Sequence, residues 1–278
     1  MRIFSLLFFG FISSLLIAQH STLRFTDSPI YLNQQSILLV PFEGKMFLSE
    51  INQKLAQENG LNSEQILERF TSAVDQAILY TFQERCNVSS FYAMEDKEST
   101  EDLAYVFDNL SLEYELVSKT QEKSKLEKAR EKLKKKEDDS YQGGMIQGGQ
   151  IVTKRDVRER YMKAVIEDQK MLDSMHFKFN NKYFLFVNQL DIRNAYSDAI
   201  SMQQMNYERE IKLHYTLYHK NGEIISTGIS RTTFPSNLNN IDQIIKGYFP
   251  KLAQNIYFDL FQLEEVEKEN KIKLNPWK

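Results

Sequence analysis

The chain of 278 residues carries 35 lysines and arginines against 38 aspartates and glutamates, a formal net charge of −3. This balance excludes the strongly basic surface typical of nucleic-acid binding, so we expect no nucleic-acid partner. With 42% hydrophobic and 26% charged residues, the composition is that of a globular chain that can bury a core, and the length suits one domain with an insertion or at most two small domains.

Residues 1–19, MRIFSLLFFGFISSLLIAQ, have the layout of a secretory signal peptide. One early charge, Arg2, precedes a short apolar run that ends near the small residue Ala18. A spanning helix needs about 20 apolar residues, more than this run contains, although an uncleaved anchor is the alternative. We predict export across the inner membrane, most consistent with a bacterial periplasm, cleavage after Ala18 or Gln19, and no integral membrane segment in the mature chain.

The single cysteine, Cys86, cannot form an internal disulfide. It follows a helical pattern and precedes an apolar stretch, so we predict a buried small side chain rather than a nucleophile or an intermolecular link.

Residues 20–118 are predicted to form the first half of an α+β domain. The run SILLVPF at 36–42 suits a buried, central strand. A short helical turn at about 48–57 should end at Gly60, and Asn62 with Gln65 forms a capping box for the long amphipathic helix that follows. A strand is predicted at 88–94, followed by a helix whose capping pair is Ser99 and Asp102. The alternating Leu112, Tyr114 and Leu116 fit either a strand or a continuation of that helix.

Residues 119–150 are predicted to be a charged helical and flexible insertion. Its first part is the charge run KTQEKSKLEKAREKLKKKEDD, which suits a solvated helix and, alternatively, a partner-binding coiled coil or a lipid-binding basic patch. Paired glycines at 143–144 and 148–149 match neither the Walker nor the dinucleotide-binding pattern, so they indicate a hinge.

Residues 151–264 are predicted to complete the domain. We expect a helix at 154–175, one strand in NKYFLFVNQLDIRN, a long loop at 194–207, and a strand pair in EREIKLHYTLYHKNGEIISTGISRTTF. A last helix should start after Asn239 and kink or break near Pro250. Residues 265–278 should be a fraying tail. The predicted fold is therefore α+β, a mixed sheet of about five strands with packed helices and a C-terminal hairpin followed by a helix.

The hairpin register follows from Asn221-Gly222, a strong two-residue turn signal. The turn would pair Lys220 with Glu223 and His214 with Ile229. His214 and His219, an odd number apart, would then point to opposite faces of the sheet and could not bind one metal ion. We expect His219 to pack near the turn and His214 to be partly exposed. On the face of Tyr215, the small residues of the return strand leave room for the large side chains of the first strand or for a helix lying across them.

The sequence identifies no catalytic, cofactor-binding or metal-binding residue. No HExxH, CxxC, GxSxG or paired His-carboxylate spacing is present, and the carboxylates are too scattered to name a glycosidase pair. We therefore predict a protein that is not an enzyme and that has no cofactor. The alternative is a periplasmic hydrolase or small-ligand-binding protein with a cleft near the hairpin, lined by His214, Tyr215, Tyr218 and Arg231.

The order of these elements resembles a group of periplasmic α+β domains. A first strand ending LVPF, a long amphipathic helix, the strand YFLFVNQLDI, and a strand pair that turns at Asn221-Gly222-Glu223 are similar to the curli assembly/transport component family. They are also similar to penicillin-binding-protein activators and to the amino-terminal domain of the Tol-Pal protein TolB. The resemblance covers roughly residues 36–264 without the insertion. It implies an envelope setting, no catalytic residues, and envelope proteins as partners, and it leaves the oligomeric state open.

The preferred functional hypothesis is an exported, non-catalytic adaptor or assembly factor of the cell envelope. Its partners would contact the charged insertion, the loop at 194–207 or an exposed sheet edge.

Overall fold

The computed structural model describes residues 23–24, 32, 34–94, 96–117, 145–147, 150–152, 159–196 and 207–274. The predicted signal peptide and the charge run lie outside these residues. The described strands are β1 (Leu23–Arg24), β2 (Ser36–Val40), β3 (Phe47–Ser49), β4 (Asn87–Ser90), β5 (Leu110–Leu116), β6 (Met145–Gln147), β7 (Gln150–Val152), β8 (Arg160–Ile166), β9 (Tyr183–Ala195), β10 (Glu208–His219) and β11 (Ile224–Pro235). The described helices are α1 (Asn52–Asn59), α2 (Ser63–Phe82), α3 (Lys97–Asp108), α4 (Lys170–Phe179) and α5 (Ile241–Leu274), with a 3-10 turn at Gly44–Met46.

A mixed sheet organises the described part of the chain. Its strand order is β1-β11-β10-β9-β2-β4, and β3 pairs with β9 beyond the end of β2. In this order the first four strands, β1, β11, β10 and β9, pair antiparallel, whereas β2 lies parallel to both β9 and β4. The predicted α+β class is confirmed. The sheet has seven strands among the described residues, two more than expected, because the short strands β1 and β3 carry little sequence signal.

Helices α1, α2 and α5 cover one face of the sheet, here called the helical face. Alternate sheet residues such as Leu39, Leu185 and Leu213 pack there against these helices. Phe70 of α2 stacks on Phe249 of α5 with ring centroids 5.4 Å apart. Burying a side chain of this size stabilises the fold by about 1.5–3 kcal/mol. The helical face holds the larger of the two hydrophobic clusters.

The opposite face, here called the covered face, lies under a second small layer. That layer contains the antiparallel pair β5–β8 and helices α3 and α4. Leu38, Phe184 and Phe186 of the main sheet pack there against residues such as Ala164 of β8 and Met171 of α4. The covered face therefore has a core of its own.

Local signals placed several elements correctly. Asn62 and Gln65 form the reciprocal capping box at the start of α2, with hydrogen bonds of 2.8 and 3.0 Å. Gly60 ends α1 in the left-handed conformation, at φ +65°. Cys86 is buried, as predicted, with its sulfur 3.2 Å from the Leu32 carbonyl oxygen.

Other boundaries were wrong. Residues 154–158 of the helix predicted at 154–175 lie outside the described residues, and the remainder instead forms the strand β8 followed by α4. The alternate residues Ala164 and Ile166 pack into the covered face, as a strand requires. The N-cap of α3 is Asp96, which accepts the Ser99 N–H at 2.8 Å, so the predicted Ser99–Asp102 capping pair does not form. The alternation at residues 112–116 is resolved as a strand, β5. Helix α5 runs unbroken through Pro250 and its backbone stays helical to Leu274, into the predicted tail.

The hairpin of β10 and β11 has the predicted register over most of its length. His214 pairs with Ile229 and Tyr215 with Gly228, but the pairing shifts between Leu217 and Tyr218. The turn has three residues, Lys220 to Gly222: the Gly222 N–H donates to His219 O at 2.9 Å, and only Gly222 has a positive φ, +84°. A side chain at Gly222 would also meet Gln169. The small residues of β11 accommodate α5 as expected, and Ser230 Oγ donates to Leu252 O at 2.8 Å.

Candidate functional site

The structure brings three of the four predicted cleft residues to one face. His214, Tyr218 and Arg231 lie on the covered face, whereas the Tyr215 side chain lies on the helical face and donates its hydroxyl to Asp259. His219 packs near the turn, as predicted, with its ring 5.1 Å from that of Tyr183. His214 is only 1% exposed, so its predicted partial exposure is wrong. Strand β8, which was predicted to be helical, covers it.

A set of polar side chains joins β8 to the main sheet, and we call His214, Thr216, Tyr218 and Asn188 the polar seam. The Met162 N–H donates to His214 Nδ1 at 2.9 Å, and Met162 O accepts from Asn188 Nδ2 at 2.9 Å. The Ala164 N–H donates to Thr216 Oγ1 at 3.1 Å, and Ala164 O accepts from the Tyr218 hydroxyl at 2.9 Å. Four main-chain groups of β8 therefore have side-chain partners in place of a neighbouring strand.

Asn188 reaches the polar seam because β9 has an extra residue at this point. The pairing with β10 shifts between His214 and Tyr215, so that His214 faces Gln189 and Tyr215 faces Val187. An extra residue in one strand re-aims its side chain, and the Asn188 amide also donates to Thr216 Oγ1 at 2.8 Å. The sequence analysis missed this residue. The available signal was an Asn-Gln pair interrupting the apolar run YFLFV.

The hydrogen bonding assigns a tautomer to His214. Because Nδ1 accepts a backbone N–H, the ring proton of the neutral imidazole is on Nε2, which lies 3.9 Å from Asp191 Oδ2. Burial, reinforced by the positive charges of Lys212, Arg193 and Arg231, lowers the pKa of His214 to about 3. The ring is therefore neutral at physiological pH, and its basic nitrogen is already engaged by the main chain.

A charged cluster continues from the polar seam along the covered face. Glu159 forms an ion pair with Arg231, whose Nη2 lies 2.8 Å from its Oε1, and accepts a hydrogen bond from Lys212 Nζ at 2.9 Å. Lys212 Nζ also lies 3.2 Å from Glu210. Although burial acts in the opposite direction, the hydrogen bonds from Arg231 and Lys212 lower the pKa of Glu159. The ion pairs thus hold the start of β8 to β10 and β11.

Asp191 resembles a catalytic carboxylate by its position beside His214. It is 3% exposed and is bound by Gln189 Nε2 at 2.5 Å and Arg193 Nη2 at 2.8 Å. Burial raises the pKa of Asp191, against the hydrogen bond from Gln189 and the charge of Arg193. His214 and Asp191 are thus both buried beneath the small layer and do not face solvent.

The outer edge of β5 is open among the described residues. Met162 and Ala164 direct their main-chain groups away from β5, toward the polar seam, and they pair across the strands with Tyr114 and Leu112. In an antiparallel pair, residues opposite each other share their hydrogen-bonding state. The main-chain groups of Leu112 and Tyr114 therefore point outward, and no described residue bonds to them.

An aromatic side chain projects from the small layer. Phe177 of α4 is 92% exposed. The residues that follow it are anchored: Lys178 lies 2.7 Å from Glu98 and 2.5 Å from Asp102 of α3, and the Phe179 ring packs on Phe91 at 5.1 Å. Phe177 is thus held outward from a fixed helix.

The described residues contain no group of three or more His, Cys, Asp or Glu side chains arranged to hold a metal ion. In the same part of the chain, no helix is both long and apolar enough to cross a membrane.

Comparison with known proteins gives little similarity. No family model matches the chain, and no curated protein matches it. Two solved structures of the PelC dodecamer from Paraburkholderia phytofirmans, in different crystal forms and one of them a point variant, are 6% identical to it. The aligned regions cover 84% of this chain and 97% or 96% of PelC, with TM-scores of 0.32 and 0.31. This similarity is too low to inform the fold or the function.

Proposed function

We propose that the protein is an exported, non-catalytic component of the bacterial cell envelope that binds other proteins as an adaptor or assembly factor. The leader-like segment at 1–19 supports export. The resemblance to curli assembly/transport components and related periplasmic domains supports the envelope setting and protein partners.

The observation that carries the proposal is the presentation of Phe177. Transfer of an exposed phenyl ring from water to an apolar surface is favourable, so a partner that covers Phe177 gains free energy. Aromatic side chains held in advance lose little entropy on binding and are common anchors of protein interfaces. The ion pairs of Lys178 and the packing of Phe179 fix the backbone that presents Phe177.

The environment of His214 supports the same function over the hydrolase alternative. A general base must offer a free nitrogen within reach of its substrate. Nδ1 of His214 instead accepts the Met162 N–H, and Nε2 faces the buried Asp191. This arrangement favours a structural role for the histidine.

A site-specific crosslinking experiment tests the proposal. A photoreactive phenylalanine analogue replaces Phe177 in one protein and Tyr80 in another, because Tyr80 is also exposed but lies on α2, across the main sheet. Irradiation of cells that produce each protein should give discrete protein adducts at position 177 that are absent at position 80. Phe177→Ala protein, added in excess, should not compete for these adducts, whereas the wild type should. Identical adduct patterns at both positions would refute the proposal.

Cell fractionation tests the setting independently. The mature chain should be recovered with periplasmic or envelope proteins, and mass spectrometry of its N-terminus should show cleavage after Ala18 or Gln19. Recovery of an uncleaved chain in the cytoplasm would contradict export.

A further inference from the structure

We propose that the outer edge of β5 binds an extended protein segment with alternating basic and apolar residues, which adds to the small sheet as a third strand. This inference extends the proposed function, since it specifies a surface and the chemistry of a partner. The β5 surface does not include Phe177, so the inference about β5 and the proposed function tested at Phe177 can fail separately.

The hydrogen-bonding groups of the edge are prepared for strand addition. The Val117 N–H donates to Glu159 O at 2.9 Å, which places the odd-numbered residues of β5 in the ladder with β8. The even-numbered residues from Leu110 to Leu116 therefore direct their N–H and C=O groups outward. A peptide that pairs with this edge satisfies these groups, which is the source of affinity in strand addition.

The other edge of the same small sheet is closed. The outward main-chain groups of Met162 and Ala164 on β8 are bound by His214, Asn188, Thr216 and Tyr218. Exposed strand edges promote pairing with other chains, and proteins commonly cover them. Among the described residues, one edge of this layer is thus covered and the other is available.

The side chains of β5 specify the partner's chemistry. Glu113 and Glu115 lie on the outer face of the strand, and Ser111 on that face donates to Glu167 at 2.9 Å. Among the described residues on this face, Lys163 of β8 is the basic side chain, 3.1 Å from Glu115. The three described carboxylates, Glu113, Glu115 and Glu167, outnumber this one ammonium group and favour Lys or Arg directly across from β5, because opposite charges on facing strands attract.

The alternate positions of β5 favour apolar partners. Leu112 packs partly against the core of the covered face, and Tyr114 and Leu116 are exposed. The Tyr114 ring is held by its hydroxyl, which donates to Gln189 Oε1 at 2.8 Å. Apolar residues of an added strand would cover Tyr114 and Leu116 on this side, while its basic residues meet the acidic side.

A second copy of this chain is a poor occupant of the edge. Antiparallel pairing of two β5 strands about Glu113 would place the two Glu113 side chains opposite each other and Glu115 near the same acidic stripe. Like charges on facing strands repel. The charge pattern therefore points to a different, basic segment.

Binding of designed peptides to the full chain tests the inference. The probe is a labelled nine-residue peptide of alternating Lys and Val; the controls are a peptide of the same composition in blocks and an alternating Glu and Val peptide. Fluorescence anisotropy should detect binding of the alternating Lys peptide alone, and hydrogen exchange should slow at Leu112 and Tyr114. Equal binding of the block peptide, or no binding of any peptide, would overturn the inference.

Reversing the charge of Glu113 makes the peptide-binding test sharper. Glu113 is exposed, so Glu113→Lys should leave the thermal midpoint unchanged, weaken the Lys peptide about tenfold and create binding of the Glu peptide. Glu68→Lys, on the exposed side of α2, should change neither affinity. Leu116→Pro removes an N–H group that points outward but no hydrogen bond between β5 and β8. It should therefore abolish binding of the alternating Lys peptide. If Leu116→Pro disturbs folding, the Glu113→Lys exchange decides alone: unchanged affinities would refute strand addition at β5 even if adducts at Phe177 persist.

Discussion

Asp75 provides a direct test of the packing between α2 and the edge of the sheet. This carboxylate is 2% exposed on the buried side of α2, and Ser90 Oγ of β4 donates to its Oδ1 at 2.5 Å. Ser90 Oγ also accepts the Tyr92 N–H at 3.0 Å. Asp75→Asn keeps an acceptor at the same place and removes the ionisation, so it isolates the electrostatic consequence of burial.

The expected size follows from the shift in ionisation. Burial raises the pKa of Asp75 from 3.8 to about 6, against the opposing effect of the hydrogen bond from Ser90. The folded state therefore holds a proton that the unfolded chain has released. Stability contributed by the protonated form is complete below about pH 4 and is lost as the pH rises through 6. A shift of about two units corresponds to roughly 3 kcal/mol, of which about 2–3 kcal/mol should develop between pH 4 and pH 7.

Urea unfolding followed by circular dichroism at pH 4, 5, 6 and 7 measures this effect. The free energy of unfolding of Asp75→Asn, relative to the wild type, should rise by about 2–3 kcal/mol across the series. Groups common to both proteins cancel in this difference. Asp108→Asn, which alters an exposed carboxylate at the end of α3, should give a nearly constant difference. A constant difference for Asp75→Asn as well would refute the reasoning, because the carboxylate would then be solvated in the folded state.

Two further predictions concern the small layer. Because the pKa of His214 is lowered to about 3, the folded state keeps the ring neutral while the unfolded chain protonates it below its ordinary pKa of 6.5. Stability should therefore fall as the pH drops, by about 2 kcal/mol at pH 5. His214→Gln, which retains an acceptor for the Met162 N–H, should lose this acid dependence in the same unfolding assay; an unchanged slope would contradict it. Val117 and Glu159 are hydrogen-bonded neighbours, so replacing residues 118–158 by Asn-Gly should close β5 and β8 into a hairpin and preserve the fold. Collapse of the near-ultraviolet circular dichroism spectrum in that variant would show that the replaced segment is needed for folding.

Some elements were predictable because their signals are local. The capping box of Asn62 and Gln65 and the apolar spacing after it belong to one helix and depend on no distant residue. The strand period and the Asn221-Gly222 turn likewise predicted the pairing of His214 with Ile229. Near the turn the observed pairing is shifted by one residue from the predicted pairing, because only Gly222 has a positive φ and the turn has three residues.

Strand β8 was not predictable in the same way. Tyr161, Ala164 and Val165 fit a helical spacing, and Met162, Ala164 and Ile166 fit a strand, so the periodicity alone allows both. The choice is made by partners far along the chain: β5 on one edge and the polar seam on the other. Asn188, His214 and Thr216 satisfy main-chain groups that no sequence pattern associates with them.

The amino-acid sequence by itself determined that His214 and His219 lie on opposite faces, since alternation along a strand is a property of the backbone. Only the tertiary structure decided that His214 is enclosed, because its burial depends on the small layer of β5, β8, α3 and α4, contributed by residues 97–116 and 160–179. In the same layer, the described residues leave the outer edge of β5 and the ring of Phe177 uncovered. Exposure is a property of what the rest of the chain covers, and local patterns do not encode it.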